Sequence, residues 1–316
     1  MSRGVVKVRR RQPTPRDKLL PGRFNITVDM ESRVPEGCYL ATSSGGAVTD
    51  RESYFSALLS AADRYLKGEI NEDYLVKLAR SASASAERLE RGFPRYSDGR
   101  PFIPGSSIKG AVRSRIEHML KPFKAGGDLY SYSCYIVQEA GVVEALDGHV
   151  KLWGEEAVYP REPCRGFAAC YVCDLFGNPN LASRVLISDA VMSRGRVKML
   201  DDLQVEAAVP GSRFKLAVSG FNMSLLDLGL LLLGFGVLDG KGVLMGLYKY
   251  RFNPDVDGNP YHGRFVFGRL VFEVTGFSEH LTDAFEGLTV SQLVKAAGQE
   301  LTERNLWSAS REGDVG

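Results

Sequence analysis

Net charge is what this chain of 316 residues most lacks: 40 Lys and Arg stand against 38 Asp and Glu, leaving +2. That balance excludes a whole-molecule field that would gather nucleic acid or acidic partners. Histidine is scarce, at four residues, and none sits in a recognisable catalytic setting. No apolar run is long enough to span a bilayer, since the longest, Leu225 to Leu238, is broken by Asp227. The first residues hold no apolar signal-peptide core, because Val5-Val6 is followed at once by charges. The expectation is a soluble, cytoplasmic protein with no membrane partner. Five cysteines (Cys38, Cys134, Cys164, Cys170 and Cys173) cannot all pair, and in a reducing compartment they favour metal ligation over disulfides. There is no internal repeat.

What is present reads as an ordinary globular chain, 44% hydrophobic and 25% charged, long enough for one large or two medium domains. Its charge is unevenly spread. Residues 1–23 hold Arg3, Lys7, Arg9, Arg10, Arg11, Arg16, Lys18 and Arg23 against Asp17 alone. Such an arm can neutralise phosphates and release their counterions, or it can be a solvated tail.

Along the chain, Phe24 to Met30 alternates as a half-buried strand does. Residues 52–91 read as a helical insertion. The helix that follows Pro101–Ser107 carries its apolar stripe on Ile108, Val112, Ile116 and Met119. Residues 122–180 look irregular and hold four of the five cysteines. Val185–Met192 and Arg213–Ser219 read as strands, Leu225–Leu233 as a very apolar helix, Leu247–Phe252 and Arg264–Val274 as strands, and Val290–Leu306 as an amphipathic helix. Without insertions the order is strand, helix, strand, strand, helix, strand, which is the ferredoxin-like (RRM-like) order of an α+β fold. The expected division is a basic arm at 1–23, a core at 24–50 and 93–275, a helical insertion at 51–92, and a C-terminal helix and tail at 276–316.

Two stretches carry chemistry. In Ile103-Pro-Gly-Ser-Ser-Ile-Lys-Gly-Ala-Val-Arg113, Pro104 and Gly105 make a tight entry, and Ser106 or Ser107 can cap the helix. Phosphate binds readily at such a helix start, and Lys109 and Arg113 would add charge one turn apart. The alternative is a well-capped surface helix. The second stretch is Cys164-x5-Cys170-x2-Cys173, where the CxxC offers two thiolates at tetrahedral spacing and Cys164 a third. Cys134 is the preferred fourth ligand, with His118 and His149 as alternatives. Four protein ligands leave no open position, so the expected zinc is structural. The glycine-rich Gly234–Gly246 matches neither a dinucleotide fingerprint nor a phosphate-binding P-loop.

The Ile103–Arg113 stretch, Leu175-Phe-Gly177, Ser183–Ala190 with its Asp-Ala ending, and Glu206–Gly211 before a strand together resemble the signature of the RAMP superfamily, the repeat-associated proteins of the Csm and Cmr type III CRISPR effector complexes. In that family the strand–loop–helix contacts the CRISPR RNA backbone. The resemblance implies an RRM-like core that holds guide RNA, with Ser106, Ser107, Lys109 and Arg113 on phosphates. Arg9, Arg10, Arg11, Gly240, Lys241 and Gly242 would assist. Some members carry a similar zinc knuckle. The implied partners are guide RNA, target RNA, other Csm/Cmr subunits and further copies along the RNA. The chain is most like a Csm backbone subunit, in which a loop aspartate cuts target RNA. Gly45–Asp50 resembles that loop, and Asp50 could hold Mg or another divalent ion, or simply cap the following helix. The lone base of the glycine-rich loop and the short Met192–Gln204 stretch favour a non-catalytic capping subunit instead. A guide-RNA-processing endoribonuclease and a pure scaffold are the remaining alternatives.

Overall fold

Strict alternation shapes the central strand of the computed structural model. Phe24, Ile26, Val28 and Met30 are buried, while Asn25, Thr27 and Asp29 turn to the other side. The structure describes residues 7–41, 46–47, 51–73, 76, 91–134, 164, 168–200, 205–246, 266–280 and 285–307. In chain order the strands are β1 (Lys7–Val8), β2 (Phe24–Arg33), β3 (Cys38–Ala41), β4 (Gly46–Ala47), β5 (Arg91–Gly92), β6 (Phe102–Ile103), β7 (Phe123–Ala125) and β8 (Asp128–Ser131). They continue as β9 (Val185–Ile187), β10 (Ala190–Arg194), β11 (Val197–Leu200), β12 (Val205–Ala208), β13 (Arg213–Met223), β14 (Val243–Leu244), β15 (Val266–Phe267) and β16 (Arg269–His280). The helices are α1 (Arg51–Leu66), α2 (Gly105–Met119), α3 (Tyr171–Phe176), α4 (Leu225–Gly234) and α5 (Val290–Glu303). The fold is mixed α+β.

The main sheet runs β14-β16-β2-β13-β10-β6, with β9 also on β13. All of its pairings are antiparallel. Among its long strands and two core helices the chain order is β2, α2, β10, β13, α4, β16, and the spatial order β16-β2-β13-β10 places the last strand beside the first. A second sheet, β15-β3-β12-β5-β4 with β11 on β12, flanks it, and β1-β8-β7 forms a third.

Among the described residues, helices α2 and α4 cover one face of the main sheet and leave the other open. Ile108, Val112 and Ile116 have no exposed surface, and neither do Leu230 and Leu233. α4 is apolar all round because it packs against α2 on one side and α5 on another. A Ser224–Asp227 capping box starts it. Close crossings demand glycine: a Cβ on Gly234 would sit 2.7 Å from Val112 and Ile116.

Several expectations need adjustment. Val185–Met192 is two strands: Asp189 turns aside to serve the start of α2, while Ser188 bonds Ala217 of β13 through its N–H and its hydroxyl. The 122–180 stretch contains the β7–β8 hairpin and the short helix α3. α1 accounts for the first part of the helical insertion; the Leu247–Phe252 strand lies outside the described residues. β16 runs through the boundary placed at 275. Residues 7–23 are docked against the protein, not a solvated tail.

Candidate functional site

The Ile103–Arg113 stretch folds as expected into a strand, a tight entry and a helix, but its polar groups are used differently. Neither Ser106 nor Ser107 caps α2: the N-cap is Pro104, without a side-chain bond. The cap comes from Asp189, whose Oδ1 accepts the Gly105 N–H at 2.8 Å while Oδ2 accepts the Tyr96 hydroxyl at 2.8 Å. A carboxylate thus already complements the positive end of this helix. Gly105 is required, since a Cβ there would lie 2.2 Å from Ile187 O. Ser106 is exposed and Ser107 half-buried. Lys109 donates to Ser183 Oγ at 2.7 Å and Val185 O at 2.9 Å; burial first, then Arg113 nearby, lowers its pKa. Arg113 donates to Gly177 O at 2.8 Å, Cys173 Sγ at 3.4 Å and Glu117 at 2.9 Å. Burial opposes the Arg113 charge, and Glu117 together with Cys173 raises its pKa on balance; burial pushes the Glu117 carboxyl up. The stretches that look like separate motifs in sequence therefore meet around α2.

Four thiols converge beside Arg113. The sulfurs of Cys134, Cys164, Cys170 and Cys173 all lie within 4.8 Å of one another, and all four residues are buried. Cys134 and Cys173 are 3.5 Å apart. Tetrahedral thiolates at about 2.3 Å from a zinc ion would be roughly 3.8 Å apart, so the set fits. The backbone turns inward to support it: Cys170 N–H donates to Cys164 Sγ at 3.2 Å, and Cys173 N–H to Cys170 Sγ at 3.4 Å, the latter capping α3. The bond between Cys134 and Cys164 is the main cause that pushes the Cys134 thiol up and draws the Cys164 thiol down. Four thiolates at this spacing coexist only around a cation. His118 bonds Ser114 O at 2.6 Å, and His149 lies outside the described residues. Cys38 is buried elsewhere, near Arg269, and burial raises its pKa.

Three arginines of the N-terminal segment, Arg11, Arg16 and Arg23, are also turned inward. Arg11 pairs with Asp174 at 2.8 Å and lies over the Tyr171 ring, 4.2 Å from its centroid. Arg16 pairs with Asp174 at 2.8 Å, and Arg23 with Asp227 at 2.7 Å. Arg184, with no exposed side-chain surface, bridges Asp174 at 3.1 Å and Asp227 at 3.0 Å. Burial alone would raise the Asp174 carboxyl, but Arg184, Arg16 and Arg11 hold it down to about 2. Arg9 stacks on Phe123 at 5.6 Å, and Arg10 is half-buried. In the glycine-rich loop Gly240 is open, Lys241 N–H donates to Asp239 at 3.2 Å, and Gly242 packs where a Cβ would lie 2.3 Å from Leu270 O.

The sequence profile of the RAMP superfamily matches residues 42–282, well over half the chain. The chain belongs to the RAMP superfamily. It is thus a CRISPR-associated protein. No curated protein matches it. Among solved structures, the crystal structure of Thermofilum pendens Csc2 aligns at 12% identity with a TM-score of 0.37, over 89% of this chain and 77% of that one.

This RAMP protein exposes a group of bases on its main sheet and the strand next to it. On the open face of the main sheet Arg194 stands opposite Arg213, and Arg213 opposite Arg33. Lys215 is exposed one pair further along, and Arg196 and Lys198 are exposed on the adjoining β10–β11 connection and β11. Arg213 pairs with Glu31 at 2.5 Å and Arg33 with Glu273 at 3.8 Å. Arg194, Arg196, Lys198 and Lys215 have no ion-pair partner among the described residues. The run Ser193-Arg-Gly-Arg-Val-Lys198 is a visible signal, but only strand register aligns it with Arg33 and Arg213. Asp50 lies outside the described residues. Among those described, no helix is long and apolar enough to cross a membrane.

Proposed function

We propose that this RAMP protein is an RNA-binding subunit of a type III CRISPR effector complex of the Csm or Cmr kind, with guide RNA and neighbouring subunits as partners. The observation that carries this reading is the basic row on the open sheet face: Arg33, Arg194, Arg213 and Lys215, extended by Arg196 and Lys198, against Asp29, Glu31 and Glu273. An open sheet edged with unpaired bases holds single-stranded RNA by its phosphates and leaves sequence to base pairing. The antiparallel order β16-β2-β13-β10 with two helices behind it supports the ferredoxin-like reading of the core. Lys109, Arg113 and Arg11 serve this function from inside, by fixing the framework, while Arg9 is exposed and Ser106 is the most accessible group of the Ile103–Arg113 stretch.

The four-cysteine centre is best read as a structural zinc site. Its ligands are buried and complete, so zinc would supply cross-linking energy and no open coordination position.

The test is charge reversal in the row: the full chain carrying R194E, R196E and K198E, with binding to single-stranded RNA read by fluorescence anisotropy. We expect at least a hundredfold weaker binding at low salt with unchanged far-UV circular dichroism. Undiminished affinity would remove the row from the interface.

A further inference from the structure

The N-terminal strap of residues 7–23 is fastened to chain beside three of the four cysteines of the centre. β1 pairs with β8, and Arg9 N–H donates to Ser131 O at 2.9 Å, just ahead of Cys134. Arg11 and Ala169 exchange both backbone bonds at 2.9 Å, immediately before Cys170. Thr14 N–H and hydroxyl and the Arg16 guanidinium close on Asp174, the residue after Cys173. Cys134 and Cys173 are 39 residues apart in sequence. The strap's anchors thus lie on two stretches, one ending at Cys134 and one running from Ala169 to Asp174 around Cys170 and Cys173, and the sulfurs of the two stretches meet at the centre.

Charge points the same way. Four thiolates on a divalent cation carry two excess negative charges, and a buried dianion needs cations near it. Arg11, Arg16, Arg23 and Arg184 face Asp174 and Asp227, which leaves a surplus of two positive charges beside α3. Half of that surplus is carried by the strap's own arginines on Asp174. Arg113 also donates directly to Cys173 Sγ, accompanied by Glu117.

We propose that a metal ion in the four-cysteine centre docks the N-terminal strap, with Arg11 and Arg16 as positioning residues that act on the centre through Asp174 and α3. This rests on the zinc reading above. If the ion stabilises the docked strap, the docked strap must tighten ion binding by the same factor.

Two measurements on the full chain test it. Hydrogen exchange of zinc-loaded and chelated protein should show protection over residues 7–20 falling at least tenfold on chelation, while β2 and β13 keep theirs. An unchanged strap, or equal loss in β2 and β13, would overturn the proposal. In the second, zinc and cobalt affinities are read by competition with a chromophoric chelator. R11A/R16A should bind about tenfold more weakly than wild type, in the range seen when outer-shell partners of a metal site are removed. The cobalt–thiolate absorption of that variant should still report four sulfurs. Equal affinities would overturn this inference alone; a wild-type chain that takes up neither zinc nor cobalt would overturn the zinc reading with it.

Discussion

Arg184 has no exposed side-chain surface and spends its guanidinium on two carboxylates, Asp174 and Asp227, and on Asn222 O at 2.9 Å. A lysine has neither the reach nor the planar fork to hold two carboxylates at once. Removing it would leave Asp174 with Arg11 and Arg16 and Asp227 with Arg23, each carboxylate still buried. Losing one partner of a buried charge pair costs about 3–5 kcal/mol. We therefore expect Arg184→Met, and Arg184→Lys almost equally, to lower the urea midpoint of the metal-loaded protein by that free energy at constant slope. A loss below about 1 kcal/mol would show that the network is solvated and not structural. Leu186, 71% exposed only two residues away, offers the contrast: the same strand edge faces solvent there.

At the scale of elements, the contact between α2 and α4 is set by absence of a side chain. A Cβ on Gly234 would press on Val112 and Ile116 at 2.7 Å, within a core that has no slack. Gly110, on the outer side of α2, would meet nothing within 4 Å. Gly234→Ala should cost about 1–3 kcal/mol by overpacking, read as a fall in Tm. Gly110→Ala should be neutral or stabilise by up to about 1 kcal/mol, because alanine lowers the entropy lost on folding the helix. Equal effects at the two positions would mean that helix propensity, not the crossing, decides this part of the fold.

For the whole molecule, a net charge of +2 gives no long-range attraction, so salt dependence of RNA binding reports local contacts. Six bases, four on the open face and two on the adjoining β10–β11 stretch, would give a slope of log affinity against log salt of about −4 for single-stranded RNA, at roughly 0.7 per phosphate neutralised. The R194E/R196E/K198E chain should show a slope shallower by about 2. A slope near zero for wild type would indicate binding through stacking or shape, with the basic row a bystander.

The strand and helix order of the core was legible because period-2 alternation in Phe24–Met30 and the 3.6-residue stripe of Ile108, Val112, Ile116 and Met119 are properties of neighbours in sequence. The thiol set was legible for a similar reason: CxxC spacing is local, and Cys134 was the nearest remaining thiol of the right kind. Ser106 and Ser107 looked like caps on the same local logic, yet Asp189, 84 residues further on, takes the role. The direction of the charges was not legible at all. Lys109, Arg113, Arg11 and Arg16 look like free bases in sequence, and only the tertiary structure turns them inward, because the carboxylates, carbonyls and thiols that satisfy them arrive from distant segments. Sequence by itself determined the elements and the four-thiol set; register between β10, β13 and β2 decided which bases face out, since side-chain partners across a sheet depend on pairing and not on position in the chain.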